Sequence, residues 1–332
     1  MQTTRDLIGR VRFPAAAIAL LMLTCGTPSR AWCGNTNLWV AHDITGIASY
    51  TSGQLKKSGT PTPIQLSTFS EETGLAFDKS HNLWATVGHL EVVRFNPAQL
   101  KDLKTDPSPT PGVIITSTST FDGLGGCNFD HQCNLLVVDE SSDSIDELSK
   151  AQLAAGSKDL TPAIVITSSD LEGPSFVMFD EAGNAWVSSY LNSEIVEFSA
   201  SQLTSGGSKT PNIVLSDDGS GSLSGPGEIA FDKKGNLWVP NIDEDTVVEF
   251  AKGQLTSSGD PTPTVTLSSA IFSNPWGAAF DSSGNLVVMN YGNGTIAKFT
   301  PKELKASGAP VPKVSVTGTD TENQQIIFGS AS

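Results

Sequence analysis

Residues 226–239 read Pro-Gly-Glu-Ile-Ala-Phe-Asp-Lys-Lys-Gly-Asn-Leu-Trp-Val, and this phrase decides the fold because it returns about every fifty residues along the chain. An Asn follows each Phe-Asp pair, and the pairs begin at Phe77, Phe129, Phe179, Phe231 and Phe280. A sixth Asn, Asn37, has no Phe-Asp before it, whereas Gln325-Ile-Ile-Phe328 lies one repeat beyond Phe280. The two half-repeats therefore predict one blade that is shared between the two ends of the chain.

Each copy alternates short apolar runs with turn residues, which is typical of half-buried antiparallel strands. In the best-preserved copy we expect strands over residues 228–231, 237–241, 246–250 and 264–267. A four-stranded sheet cannot cover its own apolar faces, so neighbouring copies must stack, and a ring hides the edges that an open stack would expose. The sequence predicts an all-β, six-bladed β-propeller of four-stranded antiparallel blades, closed by a C-terminal strand that completes the N-terminal blade.

A residue that recurs from copy to copy is predicted to have a structural role, whereas candidate site residues are expected where the copies differ. The aspartate of each Phe-Asp pair lies beside turn residues, so we predict that it stabilises a hairpin turn and does not bind calcium. Trp39, Trp84, Trp186 and Trp238 each follow the repeated Asn by two residues, which predicts that they pack between blades.

Length and composition indicate one large soluble domain. The chain has 332 residues, with 35 acidic and 20 basic side chains and an isoelectric point near 4.6. This acidic balance argues against a nucleic-acid partner, because no Lys/Arg cluster offsets the negative field. We expect a monomeric propeller over residues 32–332.

The first 31 residues predict a signal peptide. Arg5, Arg10 and Arg12 precede an apolar run over residues 13–23, which is too short for a stable membrane span. Small residues up to Ala31 favour cleavage there, giving a secreted or periplasmic protein without a membrane span. A lipid anchor at Cys25 is the less favoured alternative, because Thr24 is a poor match to that processing.

Cysteine usage does not indicate a disulfide scaffold. Removal of the signal peptide leaves Cys33, Cys127 and Cys133, so at most one intramolecular bridge can form. Cys127 and Cys133 flank one Phe-Asp turn but would be offset diagonally in the hairpin. A Cys127–Cys133 bridge and two unpaired thiols therefore remain equal alternatives.

The repeated Gly-x-Ala-Phe-Asp, Gly-Asn-Leu-Trp-Val and Val-Glu-Phe segments resemble NHL repeats of six-bladed, TolB-like propellers. The resemblance covers essentially all of residues 32–332 and implies the same ring. Propellers of this appearance include binding scaffolds, calcium-dependent lactonases of the gluconolactonase group and streptogramin lyases, so the fold alone does not select a function.

Sequence differences between the copies predict a site at the mouth of the central channel. Five residues after the repeated Asn lie His42, Asp139, Asn241 and Asn290. The residue after this position is an aromatic one in two copies, Tyr190 and Tyr291. Just before or inside the first strand of a copy lie Glu172, Glu228 and Trp276. Carboxylates, amides and aromatic rings around a concave mouth suit a small polar or aryl ligand or a protein partner. A solvated loop rim is the alternative.

Three further interpretations compete with binding. The lactonase resemblance implies Ca²⁺ held by Glu172, Asp139, Asn241 and Asn290, with Glu172-Gly173-Pro174 similar to that family's Glu-Gly-Pro segment. A streptogramin-lyase-like enzyme would need a channel-facing histidine, and an architectural envelope protein would leave the mouth empty. We favour a non-catalytic exported binding module without a cofactor; if the chain is an enzyme, we expect a metal-dependent lactone hydrolase.

Overall fold

A computed structural model describes residues 37–42, 46–69, 72–317 and 323–330. The predicted signal peptide, the cleavage site after Ala31 and the alternative anchor Cys25 lie outside these residues. The described chain forms six sheets of four or five strands, arranged as the predicted six-bladed propeller. No helix in the described part is long and apolar enough to cross a membrane.

The strands follow the repeat in chain order. In blades 1 to 3 they are β1 (Asn37–His42), β2 (Gly46–Tyr50), β3 (Ile64–Leu66), β4 (Glu72–Phe77), β5 (Leu83–Val87), β6 (Glu91–Phe95), β7 (Val113–Thr116), β8 (Leu124–Phe129), β9 (Leu135–Asp139), β10 (Ser144–Leu148), β11 (Lys158–Asp159) and β12 (Ile164–Thr167). In blades 4 to 6 they are β13 (Pro174–Phe179), β14 (Ala185–Ser189), β15 (Glu194–Phe198), β17 (Ile213–Leu215), β18 (Ala230–Phe231), β19 (Leu237–Asn241), β20 (Thr246–Phe250), β21 (Val265–Leu267), β22 (Pro275–Phe280), β23 (Leu286–Asn290), β24 (Thr295–Phe299) and β25 (Val314–Val316). Between β15 and β17 the chain forms β16 (Gly207–Ser208), which joins the blade 3 sheet, and the last described strand is β26 (Asn323–Gly329).

The two ends of the chain close the ring as the sequence predicts. Strand β26 pairs antiparallel with β1, with Leu38 opposite Phe328 and Val40 opposite Ile326, and the first sheet has the order β26-β1-β2-β3. The chain's tail is therefore the innermost strand of the blade that its head begins. Backbone pairing of this kind removes the open sheet edge that an unclosed ring would leave.

The repeated Phe-Asp and Asn residues build the first hairpin of each blade. In blade 5 an oxygen of Asp232 accepts from the backbone N–H groups of Lys234 and Asn236 at 2.7 and 3.0 Å, and its other oxygen accepts from the Asn236 side chain at 2.9 Å. The same arrangement surrounds Asp78, Asp130, Asp180 and Asp281. The predicted turn role is confirmed.

The repeated tryptophans seal neighbouring blades. Each of the four is at most 2 % exposed, and each lies edge-on against the Phe of the next blade's Phe-Asp pair. The four ring pairs are Trp39–Phe77, Trp84–Phe129, Trp186–Phe231 and Trp238–Phe280, with centroids 5.8 to 6.3 Å apart. Such edge-to-face pairs add to the burial of a large apolar area. The predicted packing role of these residues is confirmed.

The connection from the third to the fourth strand carries short helices. The helices are α1 (Pro97–Asp102), α2 (Lys150–Ala154) and three single 3₁₀ turns at Gln54–Lys56, Gln202–Thr204 and Lys252–Gln254. In blade 2 the Gln99 side chain accepts from the Asn96 N–H at 2.9 Å and donates to the Thr110 carbonyl at 2.6 Å. The repeated Gln thereby fastens the connection to the strand that follows it.

Two short strands were not predicted. Strand β11 runs parallel to β7 of the preceding blade, and β16 runs parallel to β12 in the same way. Each belongs to a connection that reaches back across the outer rim, so two blades have five strands. These contacts join neighbouring blades at the periphery.

The Cys127–Cys133 bridge does not form, which corrects that alternative. Cys127 is an unbridged thiol on β8, buried in the core with Trp84 and Val137. Cys133 lies in the following turn with φ of 70° and is disulfide-bonded to a partner outside the described residues. The hairpin directs the Cys127 side chain into the blade interior, away from the turn.

Candidate functional site

The antiparallel order of the strands gives the ring two distinct faces. We define the upper face as the loops from second to third strands together with the loops that enter each blade. The lower face contains the first-hairpin turns, and the connections between third and fourth strands lead from it around the outer rim. The residues predicted for the channel mouth lie on the upper face or at the upper strand ends, except Glu228, which is buried against the closing strand.

Four upper strand ends anchor the loop that enters the same blade. Asp139 accepts from the backbone N–H groups of Asp122 and Gly123 at 2.9 and 3.0 Å, and Asn241 accepts from Ser224 at 3.3 Å. Asn290 accepts from the Ser273 N–H at 3.3 Å, and Ser189 accepts from that of Glu172 at 2.7 Å. These side chains are fully buried. Their recurrence in blades 3 to 6 gives them a loop-anchoring role.

The amide nitrogens of the two asparagines are engaged as well. The Asn241 amide donates to the Ser222 carbonyl at 2.9 Å, and the Asn290 amide donates to the Thr295 hydroxyl at 3.0 Å. Glu172 differs from them because its side chain is exposed beside Gly173, whose N–H donates to Asp143 at 2.9 Å. The four residues of the lactonase-like set thus contribute three loop anchors and one solvated carboxylate.

Among the described residues, no group of three or more His, Cys, Asp or Glu side chains is arranged to hold a metal ion. His42, at the equivalent strand end of blade 1, is 1 % exposed and lies inside the blade. A metal ion at the mouth would therefore have to be coordinated by the exposed Glu172 together with side chains that anchor loops.

Glu228 lies below the mouth, inside the central channel. The residue is 2 % exposed, and its carboxyl group accepts a hydrogen bond from the Ile326 N–H on the closing strand at 2.9 Å. Burial raises the pKa of Glu228 well above its usual range, although the hydrogen bonds from Ile326 and Gln325 oppose that shift. Gln325 in turn accepts from the Leu75 N–H. Glu228 thus links blade 5 to the closing strand and does not face the mouth.

Trp276 owes its position to a bulge. The pairing of β22 with β23 shifts register between Pro275 and Gly277, so Trp276 is the extra residue at the upper end of the innermost strand. Glycines on neighbouring innermost strands provide room: a Cβ at Gly227 would lie 2.2 Å from the Trp276 carbonyl oxygen, and one at Gly126 would lie 2.4 Å from Phe176. The bulge redirects a large ring towards the channel mouth.

Three partly exposed rings form one surface at this mouth. Trp276 has its ring centroid 5.9 Å from Tyr190 and 6.2 Å from Tyr291, and the buried Phe176 supports it at 6.3 Å. Tyr291 is 36 % exposed. We call Tyr190, Trp276 and Tyr291 the aromatic surface. It spans blades 4 and 6, and three of the predicted site residues meet in it.

The charges of the described chain are divided between the faces. Within the residues that the structure describes, the upper-face loops contain no Lys or Arg but ten acidic residues, which are Asp122, Glu140, Asp143, Asp170, Glu172, Asp217, Asp218 and Asp243-Glu244-Asp245. All sixteen described Lys and Arg residues lie in lower-face turns, in the connections around the outer rim or at lower strand ends.

The two ion pairs of the described chain, Lys252–Glu181 and Lys298–Asp281, both lie on the lower side. The upper face is therefore a surface of uncompensated negative charge.

Asp243 brings this charge to the aromatic surface. A Cβ at Gly225 would lie 2.8 Å from the Asp243 carboxylate and 2.9 Å from the Tyr190 ring, so both groups flank one glycine. Burial, and secondly the Asp243 charge, raise the pKa of the Tyr190 phenol. The sequence does not indicate this contact, because nothing in it places Asp243 beside an aromatic ring.

Comparisons with known proteins agree with this architecture. The NHL repeat model matches residues 272–299. A chain of the nidogen–laminin complex aligns with a TM-score of 0.64 at 13 % identity, covering 90 % of this chain and 100 % of that one. The periplasmic gluconolactonase of Pseudomonas aeruginosa aligns with a TM-score of 0.60 at 14 % identity, with coverage of 90 % and 100 %.

A third solved structure is the virginiamycin B lyase of Staphylococcus aureus, with a TM-score of 0.52 at 12 % identity and coverage of 82 % and 84 %. No curated protein matches the sequence significantly. Identities this low establish a shared fold alone, and the three proteins differ in their described roles.

Proposed function

We propose that this chain is an exported β-propeller that binds a protein partner through its upper face. The observation that carries the proposal is the aromatic surface at the channel mouth, where Tyr190 and Tyr291 each contact Trp276 and all three rings stay partly exposed. Tyrosine and tryptophan supply large contact areas at low cost in conformational entropy, and they are enriched at protein interfaces. A propeller chain in the nidogen–laminin complex gives a precedent for this architecture within a protein assembly.

A hydrolase fits the arrangement less well than a binding module. The side-chain oxygens of Asp139, Asn241 and Asn290 accept backbone N–H groups of their own blades. To coordinate an ion they would have to release the loops that they anchor. Buried hydrogen-bonded groups give up their partners only at a cost of about 1–3 kcal/mol each. Glu172 alone is free of such a constraint on its carboxylate.

The binding proposal is tested by partner retention with matched variants. The full chain, a Tyr190→Ala/Tyr291→Ala variant and a Lys101→Ala/Lys104→Ala variant are immobilised and exposed to the extracellular and periplasmic fractions of the source cells. Lys101 and Lys104 are exposed in the connection between third and fourth strands of blade 2 and serve as the control. We expect a partner that the full chain and the lysine variant retain and that the tyrosine variant loses.

An assay for lactone hydrolysis completes the test. We expect no turnover of simple sugar lactones with or without added Ca²⁺, and no stoichiometric metal in the purified chain. Calcium-dependent turnover that disappears in Glu172→Ala would replace the binding proposal with the hydrolase. Retention of every partner by the tyrosine variant would remove the upper face as the binding surface.

A further inference from the structure

The aromatic surface and the charge of the upper face together specify the chemistry of a partner. The faces of tyrosine and tryptophan rings carry negative electrostatic potential and attract a cation placed within about 6 Å of the ring centroid. Asp243 adds a carboxylate beside Tyr190, and no described Lys or Arg pairs with it. The ring faces and the Asp243 carboxylate therefore both favour a positively charged ligand.

The carboxylates extend well beyond the aromatic surface. Asp143 lies in blade 3, Glu172 enters blade 4, and Asp217 and Asp243 belong to the loops of blade 5. A small organic cation would contact the rings and one or two of these groups. Charge spread over the loops of several blades instead complements several cationic groups at separated positions, as a basic polypeptide carries them.

We propose that the upper face binds a basic polypeptide segment, one of whose arginine side chains stacks on Tyr190, Trp276 and Tyr291 while its other cations pair with the surrounding carboxylates. This inference rests on the proposed function and deepens it. Arginine suits the site better than lysine, because its planar guanidinium stacks on aromatic faces and donates two parallel hydrogen bonds to a carboxylate such as Asp243.

The experiment measures the affinity of a blocked synthetic peptide in which arginine alternates with glycine. A peptide of the same length with citrulline in place of arginine is the matched control, since citrulline keeps the shape and loses the charge. Fluorescence anisotropy of the labelled peptides gives the dissociation constants. We expect binding of the arginine peptide alone, weakening steadily as salt rises from about 50 mM to about 500 mM.

Variants then locate the contact. Tyr291→Leu keeps an apolar side chain and removes the ring, so the dissociation constant rises about twofold to fivefold, whereas Tyr291→Phe keeps the ring and stays near the original value. Asp243→Asn weakens binding by up to about fivefold. Lys101→Ala, outside the upper face, leaves the affinity unchanged or slightly improved. Rescue by phenylalanine shows that the ring, and not merely the fold, is required.

Three results would overturn the inference. Equal affinity for the citrulline peptide would remove the charge requirement, and unchanged binding by Tyr291→Leu together with Asp243→Asn would remove the contact. Saturable binding of free agmatine with no affinity for the peptide would assign the surface to a small cation. If any of these occurs while a natural partner is still lost in Tyr190→Ala/Tyr291→Ala, the proposed function stands and only the basic character of the partner is wrong.

Discussion

Glu228 offers the sharpest test of how the ring is closed. Its carboxyl group accepts from the Ile326 N–H on β26 at 2.9 Å and is almost completely buried between blade 5 and the closing strand. A Glu228→Gln substitution preserves the shape and the accepting oxygen while removing the ionisable proton. We therefore expect the variant to fold with nearly the stability of the original chain in mild acid, and to differ from it in the pH dependence of stability.

The sign and size of that difference follow from linkage. Burial raises the pKa of Glu228, so the folded chain keeps a proton that the unfolded chain releases above about pH 4.3. Stability from this group is present at low pH and is lost as the pH rises towards the folded pKa. One retained proton corresponds to about 1.4 kcal/mol per pH unit. Glu228→Gln removes this loss, so its free energy of unfolding rises relative to the original chain between pH 5.5 and 6.5, with about 1.4 kcal/mol as the upper bound.

Urea denaturation followed by fluorescence of the six tryptophans measures both free energies at each pH. Glu181→Gln, at an exposed lower-face turn, controls for the loss of one carboxylate from the net charge. If the free energies of unfolding of the original chain and of Glu228→Gln differed by the same amount at pH 5.5 and at pH 6.5, the account would be refuted. That outcome would mean that Glu228 is already ionised in the folded ring.

Three further predictions concern the interior. Burial raises the pKa of Asp146 to about 7, and one of its carboxylate oxygens lacks a hydrogen bond, so the stability that this group contributes at low pH is lost as the pH rises towards 7. Asp146→Asn should therefore raise the free energy of unfolding at pH 8 by at least about 1 kcal/mol, with about 4 kcal/mol as the upper bound. An unchanged urea midpoint would contradict this. Cys127 is buried as a free thiol, so iodoacetamide should modify it only after unfolding, and modification of the native chain seen by mass spectrometry would be inconsistent with its place in the core. Gly126→Ala should lower the free energy of unfolding by about 1–3 kcal/mol, because the new Cβ would lie 2.4 Å from Phe176. The control Gly253→Ala, which has no atom within 4 Å of its new Cβ, should leave the stability unchanged, and equal thermal midpoints of the two variants would refute the close packing.

The sequence predicts the ring well because its evidence is repeated six times. Five Phe-Asp turns and four buried tryptophans recur at fixed spacing, and the one split blade shows how the ring closes. The structure places the predicted strand over 237–241 at Leu237–Asn241. The first strand of that blade is shorter than predicted, Ala230–Phe231, because Glu228 leaves the sheet to bridge Gly277 of the next blade. Contacts between blades of this kind have no signature within one repeat.

The site was predicted less completely for a related reason. Asp139, Asn241 and Asn290 occupy one repeated position, and the structure uses them to anchor loops within their own blades. A shared position favours a shared building role, even where the residue types vary. The contact of Trp276 with Tyr190 depends on a register shift and on glycines in neighbouring blades, which spacing along the chain does not reveal.

The central claim is that the upper face, and not the lower face or the outer rim, is the binding surface. Hydrogen–deuterium exchange of the chain with and without its retained partner, or with the arginine peptide, locates the contact directly. We predict slower exchange at residues 242–245, 272–276 and 290–294 when the ligand is bound, with no change in the lower-face turns. Protection of residues 78–82 or 130–134, with the upper-face loops unaffected, would contradict the account.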